Sequence, residues 1–185
     1  PPTYGMYEVL ANLNAIETIK VPLSNNFRPE IESILNVSNA KSKILFLCSP
    51  NNPTGNSFSN AAVENLLNTF EGIVVIDEAY IDFSKQRSWL DRLEEFPNLI
   101  VTQTLSKAYG MAGIRLGICY ASAEIIAILN TIKPPYNVNE LTQNKAIENL
   151  KNADLVKNQI DEILKERENL IEELNKINFI SKIYP

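Results

Sequence analysis

Three short apolar runs, separated by segments long enough to form helices, constrain the fold of this 185-residue chain more than any other feature. The runs are residues 43–48, 72–76 and 99–102. Uninterrupted apolar runs of this length are typical of strands that are buried on both faces of a parallel sheet. Strands that alternate with helices form βαβ units. We therefore expect an α/β fold, with a mostly parallel sheet flanked by helices.

The rest of the chain supplies the helices and two further strands. Loose alternation predicts a strand at residues 15–21, and another apolar run predicts one at 116–121 beside the three buried strands. Helices are predicted at 7–12, 29–37, 60–70, 88–96, 122–132, 139–149 and 153–177. The last helix is long and amphipathic. We therefore divide the chain into an α/β domain at 1–150 and, at 151–185, an interdomain helix with the start of a smaller domain.

Composition excludes several classes of function. The formal net charge is −5 and the basic residues form no run, which argues against nucleic acid as a partner. No apolar segment is long enough to span a bilayer, so we expect no membrane partner. The sequence contains no histidine, which excludes triads, metal sites and general bases that use this residue. We predict no metal site.

The two cysteines, Cys48 and Cys119, each lie in an apolar, strand-like run. We therefore expect both thiols to be buried, which suits a reducing compartment such as the cytoplasm. The chain opens on Pro1 rather than on methionine, and we expect it to be a fragment of a longer protein.

Polar residues follow each of the three buried runs, where the predicted strands end. They are Asn52 after the first run, Asp77 and Tyr80 after the second, and Ser106 and Lys107 after the third, with Arg115 eight residues beyond the lysine. Ligands of open α/β sheets bind outside the carboxyl ends of the strands, so adjacent strands would place these groups in one crevice. Taken alone, each residue has a structural explanation as a turn residue, helix cap, packing residue or surface ion-pair partner. Their occurrence together in this order favours a site.

Four segments carry a resemblance to a known family. Asn-Pro-Thr-Gly, Asp-Glu-Ala-Tyr and Ser-Lys followed by an arginine resemble the motifs of fold-type-I aminotransferases, which depend on pyridoxal 5'-phosphate (PLP). The fuller segments 2–7, 49–56, 77–83 and 104–117 resemble the histidinol-phosphate aminotransferase family at matching spacings. The resemblance covers nearly the whole chain. It also implies a cis peptide bond before Pro53, because cis bonds are nearly confined to X-Pro turns.

The resemblance implies three catalytic residues. Lys107 matches the amine that bonds to the aldehyde of PLP and moves the substrate proton. Asp77 matches the carboxylate that keeps the pyridine nitrogen protonated, because an opposite charge favours the protonated form. Tyr80 matches the residue that hydrogen-bonds the phenolic oxygen of the cofactor.

The resemblance also implies further contacts with PLP. Asn52 matches the second hydrogen-bonding partner of the phenolic oxygen. Ser106 and Arg115 match residues that bind the phosphate, which attracts donors and positive charge. Tyr4 matches the aromatic side chain that stacks on the ring. Together with the catalytic residues, these make up the expected cofactor site.

The implied reaction is the transamination of histidinol phosphate, or of imidazole-acetol phosphate in reverse, with the glutamate and 2-oxoglutarate pair. The family is dimeric, so we expect a cytoplasmic homodimer acting on a small molecule in histidine biosynthesis. The family's substrate-binding arginines and part of its phosphate site match nothing in this chain. We therefore expect the chain on its own to be inactive.

Other functions remain open from the residues. Another fold-type-I enzyme, such as an aromatic or general amino-acid aminotransferase or a threonine-phosphate decarboxylase, would share these motifs. A catalytically silent domain would be favoured by loss of Lys107 or Asp77, but both are present. A nucleotide-binding α/β domain would require a glycine-rich loop after the first strand, and residues 49–56 contain one glycine. Fold alone does not choose among these functions.

Overall fold

A four-stranded sheet forms the centre of the computed structural model, which describes residues 1–136 and 138–184. Its strands lie side by side in the order of the chain: β1 (Ile44–Cys48), β2 (Ile73–Asp77), β3 (Leu99–Thr104) and β4 (Gly117–Ala121). The first three run parallel, and β4 is antiparallel to β3. The predicted α/β class and the mostly parallel sheet are confirmed.

Helices occupy most of the remaining chain. The α-helices are α1 (Met6–Leu13), α2 (Ile31–Val37), α3 (Asn60–Thr69), α4 (Ala123–Ile132), α5 (Glu140–Leu150) and α6 (Ala153–Leu174), and the 3₁₀ helices are Ile81–Phe83, Trp89–Glu95 and Ala112–Ile114. All six α-helices lie within three residues of the predicted bounds. The segment predicted as a helix at 88–96 is a 3₁₀ helix, and the Ser88 hydroxyl caps it by accepting from the Leu90 amide.

The core lies between one face of the sheet and the helices that cover it. Val63 and Leu66 of α3 pack against Val74 of β2 and Leu99 of β3, and all four are fully buried. The alternating residues of a strand point to opposite faces, so the same face of β1 contributes Leu47. Burial of each such side chain stabilises the fold by roughly 1.5–3 kcal/mol. The core therefore fixes which face of each strand is turned inwards.

Register places the carboxyl ends of the three parallel strands level with one another. Asp77, the last residue of β2, lies opposite Cys48 of β1 and Thr102 of β3. The ladder continues past the strand ends, because the Ser49 amide donates to the Asp77 carbonyl at 3.0 Å and the Glu78 amide donates to the Thr102 carbonyl at 2.8 Å. The loops that follow the strands therefore start from one edge of the sheet.

The strand predicted at residues 15–21 is wrong. Ala15 has a positive φ of 54° just after α1, which is incompatible with an extended strand. Residues 15–24 contain no regular element, and the Leu23 amide donates to the Pro1 carbonyl rather than to a strand. Side-chain alternation alone does not make a strand, because a strand also has to form backbone hydrogen bonds with a neighbouring strand.

Two burial predictions are also wrong. β1 is not buried along both faces, since Ile44 is 54% exposed and Phe46 is 44% exposed on the face where only Cys48 is buried. β1 is an edge strand of this sheet, and the helices of the core cover the opposite face. Cys48 is buried as predicted, but Cys119 is exposed. Cys119 lies on β4, at the other edge, on the face that is turned away from the packed side chain of Tyr120.

The long helix α6 contributes one buried residue, Val156, to the structure. Leu155 and Ile163 are more than half exposed, and an exposed ion pair joins Lys85 to Glu168 at 3.8 Å. The division of the chain at residue 150 stays a prediction. Among residues 1–136 and 138–184, none of the helices combines the length and the apolar character that a membrane span requires.

A buried carboxylate holds the connection between β2 and β3 in place. Glu78 is 1% exposed and accepts three hydrogen bonds. The donors are the Trp89 amide at 2.7 Å, the Ser88 hydroxyl at 2.5 Å and the Gln103 side-chain amide at 2.9 Å. Every partner donates, which is the arrangement that an ionised carboxylate satisfies. Glu78 therefore joins the end of β2 to β3 and to the start of the 3₁₀ helix Trp89–Glu95.

We predict that Glu78→Ala lowers the free energy of unfolding by about 3 kcal/mol, because three buried donors lose their acceptor. Glu78→Gln should lose less, since it keeps one acceptor oxygen. Glu94→Ala, which removes an exposed carboxylate from the same connection, is the matched control and should leave stability nearly unchanged. Urea unfolding of the three variants measures the difference. An equal loss for Glu78→Ala and Glu94→Ala would show that the buried network does not stabilise the fold.

Candidate active site

Three of the predicted site residues meet at the carboxyl edge of the sheet. The Asn52 side-chain amide, from the loop after β1, donates to the Tyr80 hydroxyl, from the loop after β2, at 3.4 Å. The Lys107 amine, from the loop after β3, lies 5.3 Å from the centre of the Tyr80 ring. Among the ion pairs of the described residues, none involves Lys107. The edge therefore presents an exposed amine without an acidic partner.

Asp77 lies half-buried at the same edge and accepts two hydrogen bonds. The Tyr7 hydroxyl donates to its Oδ2 atom at 2.6 Å, and the Ala79 amide donates to its Oδ1 atom at 3.1 Å. Asp77 therefore braces the turn that follows β2, and the next 3₁₀ helix begins only at Ile81. The explanation of Asp77 as a helix cap does not hold.

The surroundings of Asp77 keep two neighbouring groups neutral. Burial raises the pKa of the Tyr7 hydroxyl far above its ordinary value, and the hydrogen bond to Asp77 raises it further. Burial also raises the pKa of the Cys48 thiol. Both groups therefore remain protonated across the physiological range, and Tyr7 remains a hydrogen-bond donor.

Aromatic rings line the side of the edge next to Asp77. Tyr4 meets the Tyr7 ring edge-on, with 5.6 Å between centroids and 83° between planes. Tyr7 in turn stacks on Phe46 of β1, at 4.8 Å and 19°. Tyr4 is 44% exposed, so part of this residue is open to a ligand. Gly5 follows it as the first residue before α1, with open space where a side chain would project.

Ser106 and Arg115 flank the loop that carries Lys107. The Thr104 hydroxyl accepts from the Ser106 amide at 3.1 Å and lies 2.9 Å from the Ser106 hydroxyl, which fixes the position of that side chain. Arg115 adopts a left-handed conformation with φ of 55° and hydrogen-bonds the Ala112 carbonyl at 3.1 Å. The structure brings Arg115 into this loop but gives it no direct hydrogen bond with Ser106.

Asn51 is a supporting residue that the sequence interpretation missed in favour of its neighbour Asn52. Asn51 is 2% exposed. Its side chain accepts from the Thr3 hydroxyl at 2.8 Å and donates to the Pro2 carbonyl at 3.0 Å and the Thr54 hydroxyl at 2.7 Å. Asn51 therefore ties the segment before α1 to the loop after β1. The Asn52–Pro53 bond in this loop is cis, as predicted, and Gly55 has a φ of 76°.

Tyr7 and Thr104 were also missed as site residues. The spacing of three residues between Tyr4 and Tyr7 could have indicated that the two side chains are neighbours at a helix start. No sequence signal distinguishes Asn51 from Asn52, because the two are adjacent and of one type. Thr104 sits in the strand end and gave no separate signal.

The chemistry of these groups fits a cofactor that combines an aldehyde, a ring nitrogen and a phosphate. Lys107 offers the amine. Asp77 has two bonded oxygens, and a carboxylate offers about four acceptor positions, so it can accept one further donor. Ser106 and the exposed guanidinium of Arg115 offer donors for an anion. The expected cofactor PLP has all three features.

Comparison with known proteins places the chain among aminotransferases. Residues 1–184 match the family described as aminotransferase class I and II. The chain is 60% identical over 185 residues to the histidinol-phosphate aminotransferase of Flavobacterium johnsoniae, an alignment that covers 100% of this chain and 53% of that protein. The chain thus spans about half the length of the curated relatives it matches.

Solved structures show the same fold. The histidinol-phosphate aminotransferase of Clostridium acetobutylicum superposes with a TM-score of 0.90 at 28% identity, over 100% of this chain and 57% of that one. The enzyme of that name from Sinorhizobium meliloti, solved in complex with PLP, gives a TM-score of 0.82 at 22% identity over 91% of this chain and 47% of that one. At 22% identity the second comparison supports the fold alone.

We predict that the adjacent amides Asn51 and Asn52 differ in what they do. Asn51→Ala should lower the free energy of unfolding by about 2 kcal/mol, because two segments lose their buried link. Asn52→Ala, the matched control, removes one long contact and should cost no more than about 0.5 kcal/mol. Urea unfolding of both variants measures the difference. A larger loss for Asn52→Ala would contradict the assignment of Asn51 as the supporting residue.

Proposed function

This chain belongs to the aminotransferase class I and II family, and we propose that the enzyme it forms part of transfers an amino group from histidinol phosphate to 2-oxoglutarate, using PLP. The products are imidazole-acetol phosphate and glutamate, and the reaction also runs in reverse. The observation that carries the proposal is the placement of an exposed amine, Lys107, in the loop after β3 and of a hydrogen-bonded carboxylate, Asp77, at the end of the adjoining parallel strand β2. The 60% identity to the Flavobacterium johnsoniae enzyme supports the substrate.

PLP would supply an aldehyde that bonds to amines and a protonated ring that withdraws electrons from the bonded substrate. Lys107 would hold the cofactor through its Nζ atom. Once the substrate has replaced it there, Nζ would take the proton from the Cα atom of the substrate. Its position over the Tyr80 ring supports this role, and no ion pair among the described residues engages the amine.

Asp77 would hold the proton at the ring nitrogen. A carboxylate beside that nitrogen favours the protonated form, and Asp77 already has a fixed direction because Tyr7 and the Ala79 amide each hold one of its oxygens. Tyr80 and Asn52 would donate to the phenolic oxygen, and their contact with each other supports a shared target.

Ser106 and Arg115 would bind the phosphate, and Tyr4 would lie against the ring. Thr104 positions the Ser106 hydroxyl, and the exposure of Tyr4 supports a stacking role. Arg115 is exposed and already lies in the loop that carries Lys107. To bind the phosphate, its guanidinium would exchange the Ala112 carbonyl for the anion.

The organisation of the whole enzyme is also a proposal. We assign residues 1–150 to the large, cofactor-binding domain and 151–185 to an interdomain helix with the start of a small domain. We place the enzyme in the cytoplasm as a homodimer. The exposed apolar residues of α1 and β1, among them Leu13 at 77% exposure, support a surface that is covered in the assembly. The two free cysteines suit a reducing compartment.

We predict that the complete enzyme, loaded with PLP, converts histidinol phosphate and 2-oxoglutarate to glutamate. Phenylalanine and threonine phosphate, offered under the same conditions, serve as matched alternatives because enzymes of this fold also act on aromatic amino acids or decarboxylate threonine phosphate. Coupled measurement of glutamate gives the two transamination rates, and release of CO2 gives the rate of decarboxylation of threonine phosphate. A higher kcat/KM for either alternative would contradict the proposed substrate while leaving the enzyme class in place.

We predict that Lys107→Ala lowers kcat by about 10³-fold, since general acid–base groups contribute about 10²–10⁴-fold and the variant removes the amine that would take the substrate proton. Borohydride reduction of the loaded wild-type enzyme, followed by peptide mapping, should attach the cofactor to Lys107. Lys85→Ala, which removes an exposed lysine, is the control and should keep both activity and labelling. A reduced label on any other lysine would overturn the role of Lys107.

A further inference from the structure

Tyr7 forms the shortest side-chain contact with Asp77 and is not among the residues expected to bind the cofactor. Its hydroxyl donates to Oδ2 of Asp77 at 2.6 Å, while the Ala79 amide donates to Oδ1 at 3.1 Å. Each oxygen of the carboxylate therefore carries one donor. The backbone sets the position of one donor, and the Tyr7 side chain sets the position of the other. Rotation of the carboxylate about its last bond would break both contacts.

The ring of Tyr7 is itself held from two directions. Phe46 of β1 stacks on one face at 4.8 Å and 19°, and Tyr4 meets the ring edge-on at 5.6 Å and 83°. Offset stacking and edge contacts of this kind stabilise defined ring orientations. The direction of the Tyr7 hydroxyl is therefore set by the sheet on one side and by the ligand-facing Tyr4 on the other.

The hydroxyl is suited to a constant role as a donor. Burial and the hydrogen bond to Asp77 both raise its pKa, so it keeps its proton at physiological pH. A further titratable group near the hydroxyl is the Cys48 thiol, whose pKa burial also raises. The Tyr7 hydroxyl and the Cys48 thiol therefore both stay neutral beside the Asp77 carboxylate.

We propose that Tyr7 is a positioning residue: its hydroxyl aims the Asp77 carboxylate at the ring nitrogen of the cofactor, and its ring fixes Tyr4 against the cofactor face. The inference rests on the proposed function of Asp77 and extends it by one residue. Tyr7 acts through Asp77 and Tyr4 and touches neither substrate nor cofactor. The Tyr7 side chain thereby links Asp77, which would contact the ring nitrogen of the cofactor, to Tyr4, which would stack on the same ring.

The test is a double-mutant cycle in the complete, PLP-loaded enzyme, with Tyr7→Phe, Asp77→Asn and the two combined. Tyr7→Phe removes only the hydroxyl and should lower kcat about tenfold with KM unchanged, the effect of one hydrogen bond to a charged group. In the Asp77→Asn background it should cause no further loss, because the group it positions is gone. Tyr120→Phe, whose hydroxyl has no hydrogen bond in the described structure, is the matched control and should keep wild-type kcat.

A second measurement needs neither cofactor nor a folded Tyr7→Phe variant. Carbon-13 NMR of tyrosine labelled at Cζ, recorded near neutral pH in the cofactor-free enzyme, reports the hydrogen bonding of the Tyr7 hydroxyl, and the Tyr7 signal should shift in Asp77→Asn relative to wild type. An unmoved Tyr7 signal would overturn the inference, as would an equal loss of kcat from Tyr7→Phe in both backgrounds. If Asp77→Asn itself keeps wild-type kcat, the proposed function of Asp77 fails instead, and the two failures are distinct.

Discussion

The parallel pairing of β2 with both of its neighbours is the constraint on which the rest of the site depends. It sets Asp77 level with Cys48 and Thr102, and backbone hydrogen bonds continue each ladder into the loops. A slip of one residue in either ladder would turn every side chain of that strand to the other face. The buried core resists such a slip, because Val74 and Ile76 would then leave it. Packing beneath the sheet thus decides which groups stand at its edge.

Two groups of residues make up the carboxyl edge of the sheet: supporting residues, and residues that would contact a ligand. Asn51, Tyr7 and Glu78 are the supporting residues, and each ties together segments that are distant in sequence through bonds that are buried or half-buried. The groups that would meet a ligand, such as Lys107 and Tyr4, are exposed. A site needs both groups, because side chains hold a productive geometry only when their own supports are locked. Stability and reactivity therefore fall on different residues here.

The fold class could be predicted because it depends on features that are local in sequence: runs that are apolar on both faces of a strand, and the helix-length segments between them. β2 and β3 follow that pattern. The predictions of burial were wrong at Phe46 and Cys119, on the two edge strands, because burial there depends on which other elements pack against the strand. The candidate site was predictable as a set of strand ends. Its supports were not, since the bond from Tyr7 to Asp77 spans 70 residues and no local pattern records it.

A crystal structure of the complete enzyme loaded with PLP would test the central claim most directly, because it locates all three strand ends relative to the cofactor. The account predicts density joining the cofactor to Lys107, with the Asp77 carboxylate at hydrogen-bond distance from the ring nitrogen and Tyr7 still bonded to Asp77. A cofactor joined to another lysine, or an Asp77 carboxylate turned away from the ring, would contradict it.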